Sequence, residues 1–203
     1  MSRILLRLAL LVPLLMALTL LLETYGRTLP PSPDALLDIC PLPCVLGMMP
    51  NITREPEVET ILSFTLPATN RTILRRVTTP NVEYSFETSI GGQYIFGYVT
   101  LYPTDDRVQV VTINALFPLS VLFEKWGAPD CIQVNSYDGV PAAGVLDWRR
   151  GDYSVQALFT FQPGSVEWSS ASVQSLTIRG DLPAGCRTGM QAWHGFAPAW
   201  RYQ

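Results

Sequence analysis

Val82-Glu83-Tyr84-Ser85-Phe86-Glu87-Thr88-Ser89-Ile90-Gly91-Gly92-Gln93-Tyr94-Ile95-Phe96-Gly97-Tyr98-Val99-Thr100-Leu101-Tyr102 is the stretch on which the fold turns. Val82, Tyr84 and Phe86 alternate with Glu83, Ser85 and Glu87, the period-two pattern of a strand with one buried face. Gly91-Gly92 is a turn signal, so residues 82–89 and 94–102 predict a hairpin. Strand-like runs at 72–77 and 107–113 flank it, and hairpin-linked strands form antiparallel sheet.

Upstream, Thr53 is placed to cap a helix whose first turn carries Glu55, Pro56 and Glu57, suited to the positive helix end. Val58, Ile61 and Leu62 make its apolar stripe, and Leu66-Pro67 ends it. Downstream the pattern returns. Pro118 suits a first helical position, Leu119, Leu122, Phe123 and Trp126 mark one face, and Gly127 and Pro129 close the helix. Runs at 131–137, 145–149, 153–161 and 172–178 follow, with turns at Asp138-Gly139 and Gly151. The final strands share letters: Val108-Gln109-x-x-Thr112-Ile113 and Val173-Gln174-x-x-Thr177-Ile178. The expectation is an α+β fold of two tandem repeats, 40–114 and 115–203, each one helix plus a four-stranded antiparallel sheet.

Four cysteines allow three pairings. Cys40 and Cys44 flank Pro-Leu-Pro and suit a short local loop. The arrangement favoured then joins Cys131 to Cys186, pinning the C-terminal tail; a redox pair or a metal site is the alternative. Beyond Cys186 the tail carries Trp193, His194, Phe196, Trp200 and Tyr202 among glycines and prolines. These aromatics either fold back over an open sheet edge or face, or present a binding surface for a partner or for the membrane interface.

Residues 4–22 are apolar apart from Arg7, Pro13 and Thr19. As a helix they would span roughly 28 Å, near the thickness of a bilayer's hydrocarbon layer. Arg3 and Arg7 put the N-terminus on the cytoplasmic side and export the rest. No small-x-small cleavage site follows, so the expectation is an uncleaved anchor contacting the lipid bilayer, comprising residues 1–23, with a Pro-rich stalk over 24–39. The expected address is the cell membrane, single-pass, with the C-terminal domain outside.

The 203 residues carry 14 basic and 17 acidic side chains, for a formal charge of −3, and 48% of residues are hydrophobic. Without Arg3 and Arg7 the balance is near −5, which argues against nucleic acid as a partner. A single histidine, His194, excludes multi-histidine metal sites. No HExxH, P-loop, GxSxG, GxGxxG or EF-hand pattern occurs, so no catalytic residue, cofactor or metal is expected. The alternative is an exported hydrolase of cell-wall or glycan substrates, needing two of Asp147, Asp152, Glu83 and Glu87 to meet across a pocket. A further alternative is a lipid or small-molecule carrier using a concave sheet face.

Pro43-Cys44-Val45-Leu46-Gly47-Met48-Met49-Pro50-Asn51-Ile52-Thr53, followed by Glu57-Val58 and Ile61-Leu62, carries a resemblance. It resembles the P-C-W-x-G-I-x-P-G-x-T…E-A…L signature of uncharacterised, N-terminally anchored bacterial exported proteins, with Val45 at the tryptophan and Asn51 at the glycine. Leu122-Phe123-Glu124-Lys125-Trp126-Gly127-Ala128-Pro129-Asp130 resembles their L-G-x-P-D segment, and Trp193, Gly195, Trp200 and Tyr202 resemble their ending. More distantly, the pattern is similar to the SmpA/OmlA-like outer-membrane assembly lipoproteins and to the tandem repeat of β-lactamase inhibitory proteins. The resemblance implies a non-catalytic module that binds or scaffolds an envelope protein.

Overall fold

The computed structural model describes residues 14–19, 32–78, 81–102, 105–137, 140–162, 167–180 and 185–196. The chain divides into two units, Met1–Pro31 and Ser32–Gln203. In the first unit, residues 14–19 are helical. The expected membrane span over 4–22 otherwise lies outside the described residues. Six helical residues rise only about 9 Å, and among the described residues no helix is long and apolar enough to cross a membrane.

The second unit is one antiparallel sheet of nine strands: β1 (Thr72–Thr78), β2 (Asn81–Ile90), β3 (Gln93–Leu101), β4 (Val108–Pro118), β5 (Cys131–Tyr137), β6 (Val140–Arg150), β7 (Tyr153–Thr160), β8 (Ser172–Gly180) and β9 (Gln191–Ala192). Their spatial order is β1-β2-β3-β4-β8-β7-β6-β5-β9. This corrects the expected α+β fold of two repeats with separate four-stranded sheets. Standing apart, β4 and β8 would each leave a row of unpaired N–H and C=O groups at a sheet edge. Here they pair with each other, Val111 with Ile178, Thr112 with Thr177 and Ile113 with Leu176, and the two sets of strands fuse.

Two short helices, α1 (Glu55–Thr65) and α2 (Leu119–Trp126), lie on one face. Val58 and Leu62 of α1 and Leu119 and Leu122 of α2 join Phe86, Ile113, Trp148 and Phe159 of the sheet in one core cluster. Leu36 and Leu37, which the sequence reading assigned to the stalk, are buried in that cluster within a 3-10 turn over Pro33–Leu37. Thr53 does not cap α1. Its hydroxyl accepts from the Met49 N–H and its carbonyl from the Val108 N–H, while Arg54 takes the cap position and donates its N–H to Glu57. Pro118 likewise ends β4 instead of opening α2.

Gly97 is required by close approach. A Cβ there would meet the Thr112 carbonyl oxygen at 2.2 Å and the Phe86 ring at 2.4 Å. The ring of Phe86 lies over its cross-strand glycine, filling the space a side chain would take.

Candidate binding surface

Alternation along the strands sends one set of side chains to the helix-covered core and the other to the opposite, open face. On β3 both sets are apolar. Ile95, Val99 and Leu101 are buried, while Tyr94, Phe96 and Tyr98 point the other way and remain 59%, 46% and 39% exposed. Tyr94 and Phe96 stack at 5.8 Å between ring centroids. Leu116 of β4 and Leu158 of β7, 57% and 41% exposed, extend the patch.

Tyr94, Phe96, Leu116 and Leu158 line a hollow of about 500 Å³ whose walls include Gln93, Asn114 and Gln174. Gln93 donates to the Leu116 carbonyl at 3.2 Å, and Asn114 to the Phe96 carbonyl at 3.4 Å. Partial desolvation, then a hydrogen bond that the Tyr94 hydroxyl donates to the Glu87 carboxylate, hold the Tyr94 phenol above its ordinary pKa. The surface is apolar with a rim of amides.

Farther along the same face the chemistry turns polar. Thr112 and Thr177 share a hydrogen bond at the β4–β8 seam, and Asp147 of β6 is fully buried. Its carboxylate accepts from Ser154 Oγ at 2.5 Å and lies 3.3 Å from Arg149 Nη2. Arg187 reaches over from the tail and donates to Gln156 at 3.3 Å.

Disulfides join Cys40 to Cys44 and Cys131 to Cys186. Such bonds fit an oxidising, extracytoplasmic compartment. Cys131 is the cross-strand partner of Asp147, so the second bond anchors the tail on the open face. The chain then pairs β9 against β5, wrapping that sheet edge, and reaches the helix side. There Trp193 packs partly buried against the core, its ring 5.5 Å from Phe123 and 5.6 Å from Trp168. Phe196 adds a contact to Phe123 at 4.8 Å, and His194 is exposed beside them. Trp200 and Tyr202 lie outside the described residues. Trp193 and Phe196 are thus on the opposite side of the sheet from the Tyr94–Phe96–Tyr98 row.

The four carboxylates of the hydrolase alternative are not brought together. Glu83 and Glu87 sit on β2, five strand positions from Asp147 of β6, and Asp152 lies in the β6–β7 turn. The aromatic row was missed in the sequence, although its signal was present. A run such as Tyr94-Ile95-Phe96-Gly97-Tyr98-Val99 is apolar in both parities, as a strand covered on both faces would be. Among the described residues, only one face of β3 receives a covering layer.

No protein-family model, curated protein or solved structure matches the chain.

Proposed function

We propose that the protein is a non-catalytic binding or scaffolding module of the cell envelope, seating an envelope protein on the open face of its sheet. The observation that supports this most directly is the contiguous exposed row of Tyr94, Phe96 and Tyr98 with Leu116 and Leu158. Large apolar patches are uncommon on isolated soluble domains, and aromatic centres with polar rims characterise protein interfaces. The two disulfides support a place outside the cytoplasm.

The test is site-specific photocrosslinking in cells with a probe at Phe96 or Leu158, and a control probe at Phe64, which is exposed on α1. A discrete protein adduct at Phe96 and Leu158, absent at Phe64 and lost in the Y94S/Y98S background, is the expected result. No adduct, or one insensitive to those substitutions, overturns the reading.

A second reading, a carrier of an apolar small molecule, draws on the hollow of about 500 Å³, a size in the range of ligand sites. Native mass spectrometry of the protein taken from membranes distinguishes it, because a carrier retains a small-molecule mass that F96S removes.

A further inference from the structure

The polar end of the open face holds more guanidinium groups than carboxylates. Arg149 of β6, Arg179 of β8 and Arg187 of the tail project onto one region, and Asp147 is the acid acting on Arg187 there. Asp147 is already engaged by Ser154 and Arg149. Arg187 has Gln156, a neutral partner, at Nη1, while its Nη2 is buried with no hydrogen-bond partner among the described residues. Arg179 Nε is buried without a partner in the same way.

Both residues are part-buried and not fully enclosed, so other parts of them remain accessible. Surface arginines ordinarily extend into water. Here Arg187 lies down on Gln156, whose strand neighbour Ser154 is the cross-strand partner of Arg179, so both guanidinium groups occupy one region of the sheet, at the cost of hydrogen bonds and of like-charge repulsion. Desolvation, and after it repulsion from Arg179, push the Arg187 pKa down. The arrangement is imposed covalently: Cys186 is tied to Cys131, the cross-strand partner of Asp147, and Arg187 is the next residue.

We infer that Arg179 and Arg187 form an anion site on the open face that takes a phosphoryl group bearing two negative charges. Two guanidinium groups that, among the described residues, make no salt bridge to a carboxylate match a dianion with several oxygens. A phosphate monoester carries about −1.5 to −2 charge near neutral pH, whereas one carboxylate would leave a cation unmatched. Thr177, two residues before Arg179 on the same face, leaves the approach to the site polar.

Isothermal titration calorimetry on the full chain in nonionic detergent tests this, with inorganic phosphate, glycerol 3-phosphate and acetate as ligands. Phosphate or its ester should bind saturably at one site and acetate should not. R179Q and R187Q should each weaken binding at least about tenfold, since each removes a charge-assisted hydrogen-bond fork. R76Q, on the open face of β1 and four strand positions from β8, should leave it unchanged.

R179K and R187K keep the charge while losing the fork, and near-ultraviolet circular dichroism identifies any variant that fails to fold. If R187Q fails to fold, the R179Q and R179K titrations carry the result. Vesicles containing phosphatidic acid, compared with phosphatidylcholine alone, separate a lipid headgroup from a soluble ester, and binding to either supports the phosphoryl class. No saturable binding of any phosphoryl ligand, acetate binding as tightly as phosphate, or equal loss in R76Q overturns the inference.

Discussion

Thr112 of β4 and Thr177 of β8 face each other across the seam that fuses the sheet, their hydroxyl oxygens 3.1 Å apart. They occupy the same position in the two Val-Gln-x-x-Thr-Ile segments. Thr112 is almost fully buried, so this hydroxyl pair is sheltered from competing water.

Replacing one threonine leaves the other hydroxyl without its partner. T112V and T177V should each lower stability by about 1–2 kcal/mol, and the double variant by less than the sum. Urea denaturation in a double-mutant cycle measures the coupling. Strict additivity would show that the pair contributes nothing at the seam.

G97A should be among the most damaging small substitutions. The added methyl meets a backbone carbonyl and the Phe86 ring, neither of which moves without distorting β2, β3 or β4. A loss of about 1–3 kcal/mol is expected. G144A, whose methyl would meet the Gln133 carbonyl and the Phe159 ring, should behave alike. Thermal melting of both variants checks this, and wild-type melting temperatures would refute the packing argument.

The two disulfides close loops of very different length, with separations of 55 and 4 residues. Loop-closure entropy then gives about 4 kcal/mol for Cys131–Cys186 and about 2 kcal/mol for Cys40–Cys44. C131S/C186S should therefore melt well below C40S/C44S, and it should also release the tail from β5, which limited proteolysis detects.

Trp193 closes the aromatic group over Phe123 and Trp168. W193A should cost about 1.5–3 kcal/mol and expose Phe123. Denaturant midpoints give the first, and increased binding of a hydrophobic dye the second.

Tyr84 supplies the alkaline limit. Burial pushes its phenol pKa up; a hydrogen bond with Arg75 works the other way, and the Glu55 carboxylate adds to the rise. With the folded value raised, the unfolded chain loses this proton first. The contribution is complete below about pH 10 and disappears as pH rises through the folded value. Phenolate absorbance should show Tyr84 and Tyr94 ionising late; Y84F should remove one of these two late steps and should flatten the fall in stability above that pH.

Much of the strand pattern was legible because period-two alternation is local. The 82–102 hairpin can be read from Tyr84, Phe86 and the Gly91-Gly92 turn, and the structure pairs Ile90 with Gln93 across it. Helix ends were less legible. Thr53 has the chemistry of a cap, but a long-range ladder to Val108 and a bond to Met49 claim its polar groups first.

The Arg179–Arg187 pair was invisible in the sequence. Its members come from β8 and from a tail positioned by a disulfide 55 residues long in the chain. The tail aromatics are evident in the sequence, but their spacing does not tell which side of the sheet Trp193 and Phe196 reach.

By itself, then, the sequence determined the strand-rich second unit, its hairpins and the apolar positions, since propensity and alternation act over a few residues. Tertiary structure alone decided that β4 and β8 pair, giving one sheet in place of two, because an edge strand takes whichever partner satisfies its backbone groups. It also decided that one face of β3 goes uncovered, leaving Tyr94, Phe96 and Tyr98 exposed where the strand's own pattern is apolar on both sides.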